Sequence, residues 1–197
     1  EGTNKAIDLD KFDQYYHHMF LWDAEAECLA GAYRMGLGSD IYKAKGIDGF
    51  YLQDLFRFEP ELHKMMSQSI ELGRAFIIKI YQQKPMPLFL LWKGIVHTTL
   101  RFPDHKYLIG GVSISNQFSN FSKSLMIEFM KSHYYDPYLA QYVTPKKEFK
   151  VKLKDADKDF VFDATAADLN KFDKLIDEIE PGALRLPVLL KKYIKQN

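Results

Sequence analysis

The sequence predicts an α/β fold built on a mixed β-sheet, and three observations carry that prediction. Two apolar runs near the start face each other across a short polar turn. Leu72–Ile80 is a nearly continuous apolar, β-branched run, the pattern of an interior strand covered on both faces. Strands then alternate with helical segments through the middle of the chain. In order, an acidic-aromatic lead (Asp8 to Tyr16) precedes the run His18–Trp22. The turn Asp23-Ala24-Glu25 then leads into Cys28–Arg34, completing a hairpin. Residues 36–50, rich in Gly, Asp and Lys, read as a loop. Pro60 suits the first position of a helix that turns Leu62, Met65 and Met66 to one side. After the strand Leu72–Ile80 and the segment Lys84-Pro85-Met86-Pro87, Leu88–Leu100 is apolar nearly all round and reads as a buried helix. Tyr107–Ile114 is the next strand, and Ser122–Tyr134 a helix with Leu125, Phe129 and Met130 inward. Leu169, Phe172, Ile176 and Ile179 recur at helical spacing behind a capping pair, Thr165 and Asp168, and Pro181-Gly182 stops that helix. A last helix starts near Pro187.

The 197 residues are 47% apolar and 27% charged, which excludes a disordered or low-complexity chain. Lys+Arg 27 against Asp+Glu 26 leaves a net charge of +1, no footprint for nucleic acid. A lone cysteine, Cys28, excludes an internal disulfide and a cysteine-built zinc site; it reads as a buried small hydrophobe. The six histidines show no metal-ligand spacing, so no metal is expected. The polar opening Glu1-Gly2-Thr3-Asn4-Lys5 is no signal peptide, and the longest apolar runs, such as Met86–Trp92, fall short of the ~20 residues of a membrane span. The expectation is one domain over residues 1–197, soluble and cytoplasmic.

The charged residues around the strand Leu72–Ile80 are the oddest feature. Glu71 and Arg74 flank Gly73, Arg34 ends the second hairpin strand, and Asp10 and Asp13 lie three apart before the hairpin. Burying a lone carboxylate or guanidinium is costly, so these groups need partners or a cleft. In a regular strand positions 71 and 74 point to opposite faces; a bulge at Gly73 would bring both to one side. A polar pocket with a proton-accepting carboxylate, and a structural ion-pair network, both fit this spacing.

His17-His18-Met19-Phe20-Leu21-Trp22-Asp23, Gly31-Ala32-Tyr33-Arg34, Glu71-Leu72-Gly73-Arg74, Leu91-Trp92-Lys93-Gly94-Ile95 and Tyr107 to Ile114 occur in series. Together with Leu186 to Tyr193 they resemble the N-acyltransferases that make ornithine and glycine lipids, a group also labelled hemolysins. That group belongs to the GNAT superfamily and is related to acyl-homoserine-lactone synthases. The resemblance implies a GNAT-like mixed β-sheet with splayed central parallel strands and helices on both faces. It implies acyl transfer between the splayed strands from an acyl-phosphopantetheine arm, and no tightly bound cofactor. The arm, carried by acyl carrier protein, would pair with backbone around Ala75, Phe76 and Ile77. An amino acid's amine, of glycine or ornithine, would attack the thioester. Glu71 would be the general base, through a water; Arg34 and Arg74 would position it or the substrate carboxylate. Asp10 and Asp13 would order a lid over the amine. Lys79 and Lys84 would meet the donor's phosphate; Trp92 and Ser113 would line its path.

Two departures from the pattern stand out. Lys79–Pro87 has no glycine and two prolines, a poor pyrophosphate cradle, which favours a carrier protein over coenzyme A as donor. The family has more chain before the hairpin and a further strand after the Pro187 helix. Residues 146–154 carry five lysines and one glutamate, a stripe that would steer an acidic carrier protein or touch anionic lipid at the inner face of the membrane. A lysine-protected edge strand gives the same pattern. Two other readings stay open: a non-catalytic lipid-binding module, and a small-amine N-acetyltransferase using acetyl-coenzyme A.

Overall fold

The computed structural model describes residues 7–154, 157–159, 168–180, 182 and 184–195. β1 (His17–Asp23) and β2 (Cys28–Leu37) form the hairpin. At its turn the Asp23 carboxylate accepts from the Glu25 and Ala26 N–H groups, both at 3.0 Å. Cys28 is half-buried, not sealed in a core as expected, and its sulfur lies 3.7 Å from the Tyr81 hydroxyl.

The loop expected over residues 36–50 is instead α1 (Gly38–Lys45) and a 3₁₀ turn, Gly46–Gly49. Its glycines mislead because one of them serves packing. A Cβ at Gly38 would stand 2.1 Å from the Met66 carbonyl oxygen, so only glycine lets α1 start there, while Ile41 is fully buried. Gly38→Ala is therefore expected to destabilise the fold by at least about 1–3 kcal/mol, read as a lowered melting temperature, because backbone cannot step aside as a side chain can.

α2 (Leu52–Leu55), β3 (Phe56–Phe58), a 3₁₀ turn at Pro60–Leu62 and α3 (His63–Ser67) follow. Then come β4 (Ser69–Ile77), a 3₁₀ turn at Lys79–Tyr81, α4 (Pro85–Arg101) and β5 (Tyr107–Gly110). The main sheet runs β1-β2-β4-β5, antiparallel except for the parallel pair β4–β5, consistent with a GNAT fold. β3 pairs separately with β6 (Val143–Pro145). One face of the sheet lies under α4: Leu91 comes within contact of Gly31, and Met19 reaches Gly94. The opposite face, with Gly36, meets Tyr16 and Ile41 of α1, so helices cover both faces.

The strands and α4 differ from the sequence pattern in four places. β5 stops at Gly110, so the strand expected through Ile114 is shorter and Ser113 lies outside the ladder. β4 is buried only over Ser69–Leu72, the stretch that β5 covers; from Gly73 to Ile77 it is partly or largely exposed. α4 buries Pro87, Leu91 and Ile95 alone, and turns Met86, Phe89, Val96 and Leu100 outward. The apolar, basic alternation at 149–154 forms no strand.

By compactness the described chain falls into two units, residues 7–111 with 142–146, and residues 112–141 with those from 147 onward. In the second unit, the Ser119 side chain caps α5 (Asn120–Tyr134), and α6 (Pro137–Ala140) follows. Asp168 caps α7 (Leu169–Ile179), accepting from the Asn170 and Lys171 N–H groups. Leu125, Met126 and Phe129 pack with Phe172 and Ile176, and the rings of Phe129 and Phe172 stack 4.0 Å apart. Pro187 starts α8 (Val188–Ile194). Thr165 and Pro181 lie outside the described residues.

Candidate active site

The bulge that the sequence suggested is present, one residue later than expected. β2 and β4 pair Arg34 with Gly73 and Ala32 with Phe76, so one residue of β2 opposes two of β4, Arg74 and Ala75. Arg74 takes a φ of 46°, left-handed backbone that a non-glycine residue adopts at a cost. Before the bulge, Glu71 pairs with Gly36 and Gly73 with Arg34, on the face that Tyr16 covers. The extra residue swings Arg74 onto that same face, where it meets the ends of the lead segment.

Asp10 holds both arginines. The Arg34 Nη1 donates to both Asp10 carboxylate oxygens at 2.7 Å and to Asp13 Oδ1 at 2.8 Å, with the arginine side chain only 2% exposed. The Arg74 Nη1 donates to Asp10 Oδ2 at 3.3 Å, and its Nη2 to the Asp8 carbonyl at 3.1 Å and the Asp8 carboxylate. The Arg34 guanidinium also stacks over Phe12, Tyr16 and Tyr51, with 5.2–5.7 Å to the ring centroids. Burial alone would lift the Asp10 and Asp13 carboxyls. Hydrogen bonds from Arg34 and from the backbone N–H groups of Phe12 and Asp10 outweigh it, and both sit below the ordinary carboxylate value.

Glu71 is separate from that ion-pair cluster. The Leu52 N–H donates to its Oε1 at 2.7 Å, while the Tyr51 N–H (3.0 Å) and the Tyr16 hydroxyl donate to Oε2. The residue is 1% exposed, and burial pushes its carboxyl upward despite those three donors. Burial and the neighbouring carboxylate likewise push the Tyr16 hydroxyl up, so it stays protonated and keeps donating. Arg34 and Arg74 thus bind aspartates and do not touch Glu71.

β5 covers β4 only as far as Leu72 and ends at Gly110, while β4 runs on through Ile77, paired with β2 on one side and with no strand on the other among the described residues. The Ile78 N–H donates to Ala30 across β2, so by strand alternation the backbone of Ile77 and Ala75 faces the vacated side. There the Ile77 carbonyl accepts from the Gln82 side chain at 2.9 Å. Phe76 is exposed, on the face shared with Ala32 and the exposed Phe20. An added Cβ at Gly73 meets nothing within 4 Å, so open space adjoins the arginines. Lys79 is exposed at the end of β4. Trp92 is half-buried on α4, the helix of the opposite face, and Ser113 is exposed in the second unit. A cavity of about 540 Å³ lined by Ser39, Tyr42, Lys43, His105 and Lys106 lies at the other, N-terminal ends of β4 and β5, away from this cluster.

Asp8, Phe12 and Tyr16 join the site although the sequence did not mark them as participants. Their signal was the run of acids and aromatics at 8–16, which has no helical or strand period and so reads only as a lead. The Tyr51 and Leu52 N–H groups leave no signal in the sequence, since any residue but proline supplies them.

Residues 1–92 match the family model described as acetyltransferase (GNAT) domain. Glycine N(alpha)-acyltransferases from Bacteroides thetaiotaomicron and Phocaeicola vulgatus are 28% and 26% identical to this chain over 206 residues. These alignments cover 98% of this chain, which spans about 60% of the length of those curated relatives. No solved structure matches the chain significantly. Among the described residues no helix is long and apolar enough to cross a membrane.

Proposed function

We propose that the protein is an N-acyltransferase that moves a fatty acyl group, 3-hydroxylated in the family it resembles, from acyl carrier protein to the amine of glycine. The observation that carries this reading is the bulge at Arg74, which gathers Glu71, Arg34 and Arg74 on one face where β4 runs on past the end of β5. The names of the relatives support glycine over ornithine as acceptor. The family resemblance supports the carrier-bound donor and an aminolipid product.

In this mechanism the thioester lies along the free edge of β4 at Ala75 to Ile77, and the acyl chain takes the apolar surface of Phe76. The amine enters the open space at Gly73. Glu71, roughly 7 Å away along the strand, accepts the ammonium proton through a water. Its raised carboxyl suits that task, because a base of higher pKa takes the proton with more driving force. The uncharged amine then attacks the thioester carbonyl, the tetrahedral intermediate collapses with cleavage of the C–S bond, and the proton that the new amide nitrogen sheds passes to the departing carrier thiolate. Arg74, partly exposed and fixed by Asp8 and Asp10, stands beside this pocket as the donor for the acceptor's carboxylate, while the buried Arg34 holds Asp10 and Asp13 in place.

The test is release of free thiol from 3-hydroxyacyl carrier protein in the presence of glycine, with ornithine and acetyl-coenzyme A as competitors. Turnover with glycine and the carrier-bound donor is expected. Absence of turnover with either acceptor, or faster turnover of acetyl-coenzyme A, overturns the reading. Gly73→Val, which fills open space without backbone strain, is expected to raise KM for glycine at least ~10-fold while the protein melts as before. An unchanged KM places the acceptor elsewhere.

A further inference from the structure

α4 presents a face that the fold leaves uncovered. Its inner line, Pro87, Leu91 and Ile95, packs on the sheet, while Met86, Phe89, Val96 and Leu100 are 54%, 56%, 53% and 71% exposed. With Lys93 these positions repeat at intervals of three and four, so they form one stripe along the outer side. The stripe is about 21 Å long at 1.5 Å per residue. Large exposed apolar stripes mark surfaces that meet something else.

The charge pattern narrows the choice of partner. Pro85–Arg101 contains no acidic residue; Lys93 sits in the middle of the stripe, and Lys84 and Arg101 mark its two ends. A protein partner laid along the stripe would bury the Lys93 ammonium at the centre of its interface, a costly desolvation. At a bilayer surface the same lysine stretches its stem along the apolar layer and leaves its ammonium among anionic headgroups. The helix is too short to cross a membrane, so it would lie in the interface plane.

We propose that the outer face of α4 seats this protein on an anionic lipid surface, with Met86, Phe89, Val96 and Leu100 in the acyl boundary and Lys93 and Arg101 on phosphate groups. The proposal does not depend on the acyl-transfer reading, since binding is measured without turnover.

The experiment is flotation of the purified chain with vesicles of phosphatidylcholine alone and with about 30 mol% phosphatidylglycerol, an ordinary anionic surface. At least ~10-fold more protein is expected to float with the anionic vesicles, and about 0.5 M salt is expected to weaken binding. Phe89→Glu with Leu100→Glu, both at exposed positions, is expected to cut flotation at least ~10-fold with an unchanged circular dichroism spectrum, while Val188→Glu, exposed in the second unit, floats like the parent. The proposal is overturned if the parent does not float, or if the double variant floats equally well. It is also overturned if the parent instead self-associates, or binds an acidic carrier protein, through this stripe and stays off vesicles.

Discussion

Glu71→Gln is expected to slow acyl transfer at least ~100-fold while leaving a folded protein. Glutamine keeps one acceptor oxygen for the Leu52 N–H, and the Tyr16 hydroxyl can turn to accept from the new amide. The Tyr51 N–H then faces a donor at the former Oε2 position but keeps the Tyr16 hydroxyl oxygen, 3.1 Å away, as acceptor. Weakening that one bond costs at most about 1–3 kcal/mol, which a domain of ordinary stability survives. The pH profile separates a base from a strut. Burial lifts the Glu71 carboxyl above its usual range, and a base acts only when ionised, so wild-type kcat/KM should climb with pH through that elevated value. The glutamine variant should have lost this limb. An unimpaired rate, or a limb that survives the substitution, would assign Glu71 to holding Tyr16 and residues 51–52 in place. Stability gives a second readout with its own sign. A carboxyl raised in the folded state favours folding fully below its unfolded value and loses that contribution as pH rises through the folded value. The stability deficit of Glu71→Gln relative to wild type should therefore be largest in acid and shrink as pH rises.

Much of this site was legible in the sequence because unlike charges inside an apolar strand need a geometric excuse. Glu71 and Arg74 at odd spacing forced either opposite faces or a bulge, and the bulge is what the backbone adopts. What the spacing could not convey is which opposite charges meet. Arg74 is a near neighbour of Glu71 in sequence and 64 residues from Asp10, yet the lead segment folds back over the sheet and claims it together with Arg34. Chain reversal of that kind depends on where Phe12 and Tyr16 find a core with Ile41, Phe50 and Met66, a contact spread over more than fifty residues. The helix order is readable from periodicity, but the Gly, Asp and Lys content of residues 36–50 hides α1, because Gly38 serves close approach to α3. The orientation of α4 was unreadable because its apolar residues surround the axis, and composition alone cannot say which side a sheet will take.

Arg34→Met should be the most destabilising single change at the site. The side chain is buried and its Nη1 serves two carboxylates, of which Asp13 is only 11% exposed. Breaking a buried pair from one side costs about 3–5 kcal/mol because the orphaned charges remain. Asp10 keeps Arg74 and some water, which argues for the lower end, about 3 kcal/mol, or roughly 6–12 °C of melting temperature for a chain of this size. The sign of the pH dependence identifies the cause. Asp10 and Asp13 are held below the ordinary value of 3.8, so their contribution is present above that pH and is lost as pH falls through their folded values. The gap in melting temperature between wild type and variant should accordingly narrow below about pH 4, and a gap that stays constant would assign the loss to packing against Phe12, Tyr16 and Tyr51 alone. Arg34→Lys should recover only part of the stability, since an ammonium keeps the charge but is too compact to keep the contacts with the rings of Phe12, Tyr16 and Tyr51 that surround the guanidinium. Because Asp10 and Asp13 tie the lead to the sheet, and Tyr16 in that lead covers Glu71, both substitutions should also lower the acid sensitivity of turnover that Glu71 confers. A variant that loses stability yet keeps the wild-type pH profile would separate the ion-pair cluster from the chemistry it adjoins.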